Sequence, residues 1–194
     1  MTSPSKLRAV ALSTVAAVAL TGAVSADAAK QKRVKLDGNT TTITPSAGLN
    51  KALADNGVTL SPLGKATASN GAVVLPITGG RINPINLRGF VRHAGGIKLA
   101  KGNGALKLRH FVIVSKKRGA YLTVRAKRKG KGRNVVLARL ANVTRSDAGG
   151  VTTVTANLRL TKRAAKLINK KLGAGFVQAG ALLGTAKVEA KPAS

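Results

Sequence analysis

Two periods of apolar residues alternate along this chain. Thr40-Thr41-Thr42-Ile43-Thr44 is a β-branched run suited to a strand. Pro45-Ser46 then opens a helical pattern: Ser46 is placed to cap it, Leu49, Ala52 and Leu53 share one face, and Gly57 stands where a helix stops. From Val58 to Ala141 the period becomes two. Ile85, Leu87 and Val91 share one parity; Leu106, Leu108, Val112 and Val114 alternate with Lys107, Arg109 and Ser115; Leu122, Val124 and Ala126 alternate with Tyr121, Thr123 and Arg125. Val154, Ala156, Leu158 and Leu160 repeat the pattern. Strict alternation means sheets with one wet face, hence antiparallel sheets. Gly79-Gly80, Gly95-Gly96, Gly102-Asn103-Gly104 and Gly149-Gly150 punctuate them at hairpin spacing. A second helix follows Thr161, with Ala164, Ala165, Ile168 and Leu172 as its apolar stripe and Gly173 as its stop. A last strand runs through Leu182 to Val188. The predicted fold is mainly β: an antiparallel β-sandwich of the immunoglobulin-like kind, or an open barrel, with two short helices.

Parity also assigns individual side chains. His93 matches Leu87 and Val91, and His110 matches Leu108 and Val112, so both are expected to point inward. Tyr121 has the opposite parity to Leu122 and is expected on the outer face. Pro76 interrupts a strand and asks for an edge or a bulge. It belongs to Leu75-Pro76-Ile77-Thr78-Gly79, which spells a sortase pentapeptide, but no apolar span and basic tail follow it. A strand running into a Gly-Gly turn is the better reading.

The N-terminus has its own pattern. Lys6 and Arg8 precede an apolar, Ala-rich run from Ala9 to Val24, and Val24-Ser25-Ala26 offers the small residues of a cleavage site. This reads as a signal peptide over 1–26, cut after Ala26 or Ala28. A flexible basic leader is expected over 27–39, one β-rich domain over 40–189 and a tail over 190–194. Lys or Arg interrupts every later apolar stretch, so no transmembrane span is expected in the mature chain. The expected location is extracellular or cell-wall associated. With no cysteine in the sequence, disulfides and thiolate metal sites are excluded, and the domain must rest on its own core.

Charge narrows the function. Lys and Arg number 34 against 5 Asp and Glu, with no acidic residue between Asp55 and Asp147. Too few carboxylates stand in any motif for glycoside chemistry or a Ser-His-Asp triad, and the chain is read as a non-enzyme. Basic residues concentrate at Lys116, Lys117, Arg118, Arg125, Lys127, Arg128, Lys129, Lys131 and Arg133. A Gly-interleaved basic loop of this kind suits phosphates or carboxylates. Export turns attention to anionic cell-envelope polymers or lipid headgroups as partners. Extracellular nucleic-acid binding is a further alternative, disfavoured because Phe90, Phe111, Tyr121 and Phe176 are the only aromatics, too few for stacking. No metal site and no required cofactor are read from the residues.

One ordering of motifs goes further. Gly89-Phe90-Val91-Arg92-His93-Ala94-Gly95-Gly96, a β run, Leu160-Thr161-x-x-Ala164-Ala165, then Phe176-Val177-Gln178-Ala179-Gly180-Ala181-Leu182-Leu183, together resemble the HtaA-type domain. That domain occurs in secreted and surface proteins of actinobacteria, some of which take part in haem uptake. The resemblance spans roughly residues 72 to 189 and implies an extracellular, all-β binding domain. It implies haem as an alternative ligand, with His93 at the position of a histidine found near haem; the chain's own residues offer His93, His110 or Tyr121 as candidate iron ligands. Haem-binding members open with a Trp-Gly segment leading to an iron-ligating Tyr. This chain has no Trp, and no Tyr before Tyr121.

Overall fold

The computed structural model describes residues 33–128, 131–173 and 175–193, with the backbone alone for 127, 128 and 131. The expected signal peptide, the leader up to residue 32, and Lys129 lie outside the described residues. In chain order the elements are β1 (Val34–Pro45), α1 (Ala47–Asp55), β2 (Thr59–Leu63), β3 (Thr67–Ser69), β4 (Ala72–Ile82), β5 (Gly89–His93), β6 (Gly96–Lys101), β7 (Gly104–Lys116), β8 (Gly119–Arg128), β9 (Lys131–Ala148), β10 (Val151–Leu160), α2 (Lys162–Leu172) and β11 (Leu182–Pro192).

All pairings are antiparallel, and the sheet closes on itself. The order β7-β5-β4-β1-β11-β10-β9-β8 returns to β7 through a β7–β8 ladder. The result is an eight-stranded barrel, with β2 and β6 carried on one half of β7 and β3 on β4. Of the two expected architectures the barrel is the one formed, closed rather than open, and the sandwich is not. Alternation reports a single wet face, which all three architectures have; closure depends on the β1–β11 pairing between the two ends of the described chain. β1 starts at Val34, inside the stretch read as leader, because Leu36 enters the core and pairs with Pro192 and Gly80.

The interior is filled by side chains, as eight strands require. Leu75, Phe111 and Ala138 are wholly buried, and Leu122, Val124, Ala156 and Leu158 surround them. Both helices lay apolar residues on this core: Leu53 from α1, and Ala164, Ala165, Ile168 and Leu172 from α2. Two residual apolar cavities remain, each about 70 Å3. One lies under the helices, between Leu53, Phe111, Ile168 and Phe176; the other lies between Leu36, Val91, Ile113 and Leu140.

Residues 83–88 leave the expected alternation. Asn83 Oδ1 accepts from the backbone N–H of Ile85 and Asn86, closing a turn between β4 and β5, so Ile85 is exposed and Leu87 is not part of a strand. An asparagine that hydrogen-bonds the backbone two residues on favours a turn over a strand.

Candidate functional site

The barrel wall is interrupted where the expected histidines lie. β5 and β6 both run along the same edge of β7 and form one strand broken at Ala94-Gly95. Opposite the break, the β7–β8 ladder shifts register between Arg109 and Val112. His110 takes φ 51 there, a left-handed conformation that a non-glycine residue rarely adopts. The extra residue reverses the parity of β7: Leu106 and Leu108 point inward before it, Phe111 and Ile113 after it. His110 is therefore exposed, contrary to the inward expectation, and Val112 and Val114 move to the outer wall. A bulge inserts one residue, and parity carried across it fails.

His93 does point inward and is buried. Its Nδ1 donates to the Phe111 carbonyl at the bulge (3.0 Å), which fixes the tautomer, so that Nε2 accepts from the Thr41 hydroxyl (2.7 Å). Burial lowers its pKa from 6.5 to about 4, with the Phe111 carbonyl acting in the opposite sense. Both ring nitrogens are engaged, and His93 pins β5 to β1 and β7. The two glycines after it have packing reasons. Gly95 has φ 81, and a Cβ there would press on the backbone of Leu63 and Ala66; at Gly96 it would meet the Leu108 carbonyl.

The described basic residues fall at the two ends of β8: Lys116, Lys117 and Arg118 are exposed at one end, whereas Arg125, Lys127 and Arg128 lie at its other end, where Arg128 pairs with Lys131 of β9, the strand that carries Arg133. At 3.4 Å per residue, the seven steps from Arg118 to Arg125 separate the groups by roughly 20 Å.

The outer wall sorts itself around the bulge. On the far half of β7, cross-strand partners form the row Arg81–Phe90–Val114–Tyr121–Arg139. Phe90, Val114 and Tyr121 are half-buried and both arginines exposed, so a strip of aromatic and apolar surface lies between cations. Arg92 lies 4.6 Å from the Phe90 ring centre and Lys116 lies 5.9 Å from that of Tyr121. A second bulge, at Leu137, turns Val136 outward beside Arg139. Tyr121 thus stands on the outer face, as its parity predicts, in a groove of about 440 Å3 with Lys116, Arg118, Arg139, Val136 and Leu140. On the other side of the bulge, His110 shares a groove of about 320 Å3 with Lys65, Arg109 and Gly95.

No protein-family model matches the sequence, and no curated protein does. Solved structures do. The C-terminal domain of HtaA from Corynebacterium glutamicum superposes with a TM-score of 0.62 at 12% identity, over 81% of this chain and 98% of that domain. The chain has the HtaA-type fold. The N-terminal domain of HtaA matches at a TM-score of 0.59, with 14% identity over 82% of this chain and 99% of the domain. The heme binding protein HtaB of the same organism matches at 0.54, with 13% identity over 83% of this chain and 96% of that one.

Haem fits this version of the HtaA fold in one region and not in another. The interior does not take it: the cavities are small, and His93 offers no free nitrogen. The Tyr121 groove has the donors and the size, since ligand pockets run from about 300 to 1,000 Å3. Among the described residues no cluster of three or more His, Asp or Glu stands ready for a bare metal ion. Asp55 and Asp147, the acids available to a triad, are held by Lys51 and by Arg145. Sequence reasoning missed Arg81, Arg92, Val136 and Arg139 as parts of the outer strip, because cross-strand register brings them to Phe90 and Tyr121.

Proposed function

We propose that this chain is a non-catalytic, extracellular binding module that takes a planar, carboxylated tetrapyrrole of the haem type on its outer wall at Tyr121. The observation that carries the reading is the groove itself: the chain's one tyrosine stands between three cations and beside an apolar strip. A macrocycle needs a flat apolar contact, which Phe90, Val114 and Val136 supply. Its carboxylates need cations, which Lys116, Arg118 and Arg139 supply. A tyrosine oxygen is an established axial ligand of haem iron. The shared fold with a protein described as heme binding supports the same reading. Location outside the cell belongs to the proposal and rests on the N-terminal pattern of Lys6, Arg8 and the apolar run after them.

Titration of the full chain with hemin tests this. A shifted Soret band is expected, together with at least a tenfold loss of affinity in Tyr121→Phe and a smaller loss in Arg139→Gln. His110→Ala should stay within twofold of the parent. An unchanged hemin spectrum, or a loss in His110→Ala equal to that in Tyr121→Phe, overturns the assignment.

Association with anionic envelope polymers or lipid headgroups remains a second reading. Its basis is the exposed cations of the β8–β9 hairpin, Arg125 and Arg133 among those whose side chains are described.

A further inference from the structure

The near half of β7 carries a different surface from the Tyr121 strip. Its outward residues are Lys107 and Arg109. Lys98 of β6 stands directly opposite Lys107, and Arg125 of β8 directly opposite Arg109. Residues so paired share a face, with Cβ atoms about 5 Å apart, and like charges in that position destabilise a sheet. The chain places two such pairs side by side. The described ion pairs, Lys51–Asp55, Arg145–Asp147 and Lys187–Glu189, lie elsewhere, so among the described residues no carboxylate pairs with these four cations. The strip is also accommodated by its neighbours. Gly132 leaves room for the Arg125 side chain, which a Cβ there would strike. Gly96 faces Arg109 with no side chain at all. At the Arg109 end the surface runs into the groove that holds Lys65 and the strained, outward His110.

We propose that the outer face formed by Lys98, Lys107, Arg109 and Arg125 binds a linear chain of linked phosphates. The inventory of the strip selects this ligand. No aromatic residue stands in it to stack on bases, as single-stranded nucleic acid requires. Hydroxyl-binding side chains stand at its margins, at Thr59, Ser61 and Asn134, and the Thr123 hydroxyl is taken up by the Val112 carbonyl, so a saccharide has little to hold it beyond charge. What remains is closely spaced cations, two of them guanidinium forks matched to phosphate oxygens. A phosphate chain relieves both repulsive pairs at once. The proposal is independent of the tetrapyrrole reading, because it uses none of the Tyr121 groove.

The experiment uses the full chain and inorganic polyphosphate of defined length, followed by calorimetry across a salt series. Strong binding at low salt is expected, weakening steeply as salt rises. In the double variant Lys107→Gln/Arg109→Gln, affinity should fall at least tenfold, and the slope of log K against log salt should drop by about 1.5. The same variant, without ligand, should melt no lower than the parent, because a repulsion has been removed; this also establishes that it is folded. A control with equal charge loss on the exposed face of α2, Lys162→Gln/Lys166→Gln, should stay within about threefold. Equal losses in the two double variants would reduce the effect to net charge and overturn the proposal. So would undetectable polyphosphate binding, or equal binding of single-stranded DNA or a polyuronate at matched charge concentration. Hemin titration of Lys107→Gln/Arg109→Gln should match the parent, which separates failure of this surface from failure of the Tyr121 groove.

Discussion

His93 shows how one buried side chain ties the wall together. Held neutral between Thr41 and the Phe111 carbonyl, it resists protonation in the folded state, where its pKa falls to about 4 from 6.5. The unfolded chain binds that proton more readily, so stability is full above about pH 6.5 and is lost as pH falls from 6.5 toward 4. A displacement of this size corresponds to about 3 kcal/mol. Thermal melts of the parent between pH 7 and 4 should show a steep drop, and His93→Gln, less stable at pH 7, should have a flatter profile. A parent profile as flat as that of the variant would contradict the account. The inward position of His93 and the outward position of Tyr121 were legible in alternation, because each lies on a strand segment whose parity is unbroken. His110 was not: a bulge lies at its own position, between the Leu108 and Val112 whose parity it was expected to share. Which side chains meet His93 was also hidden, since Thr41 and Phe111 reach it through register rather than sequence proximity.

Elements were legible where a cap coincided with a period. Ser46 caps α1 and Thr161 caps α2, and Gly173 takes the left-handed position that ends α2. Each strong signal is local, so neither helix depends on tertiary information for its placement. Strand irregularities were less visible, yet they aim the outer wall. At the Leu137 bulge the ladder leaves that residue without a partner on β8, and α2 satisfies it: Thr161 N–H donates to the Leu137 carbonyl (3.0 Å) and its hydroxyl donates to the Val136 carbonyl (2.6 Å). The same hydroxyl accepts from Ala164 N–H (3.2 Å). Thr161 is therefore a helix cap and a clamp on the strand that presents Val136 and Arg139. Thr161→Ala should cost about 1–2 kcal/mol, at the upper end for an N-cap, and Thr161→Ser should recover most of it. Urea unfolding of both variants checks this; a loss in Thr161→Ala below about 0.5 kcal/mol would show that the clamp is not formed.

At the scale of the molecule, closure and charge act against each other. The barrel is completed by the ladder between Val34–Pro45 and Leu182–Pro192, segments far apart in sequence, so apart from the β2 edge it leaves little unpaired backbone. That closure could not be read from local alternation, whereas the charge of +29 could. Among the described residues three ion pairs engage a carboxylate, while Lys98 and Lys107, and Arg109 and Arg125, stand opposite each other on the outer wall. Self-repulsion of this kind destabilises the compact state, and it is screened within about 10 Å at 0.1 M salt. Proteins held by surface ion pairs lose those contacts as salt is added, but here the balance runs the other way. The melting temperature should rise by several degrees between 20 and 500 mM sodium chloride. Sulfate should exceed chloride at equal ionic strength, because a divalent anion bridges neighbouring cations such as Arg109 and Arg125. The double variant Lys107→Gln/Arg109→Gln should show a smaller rise than the parent, since it begins with less to screen. A melting temperature that falls with salt would mean that ion pairs, and not repulsion, dominate the outer wall.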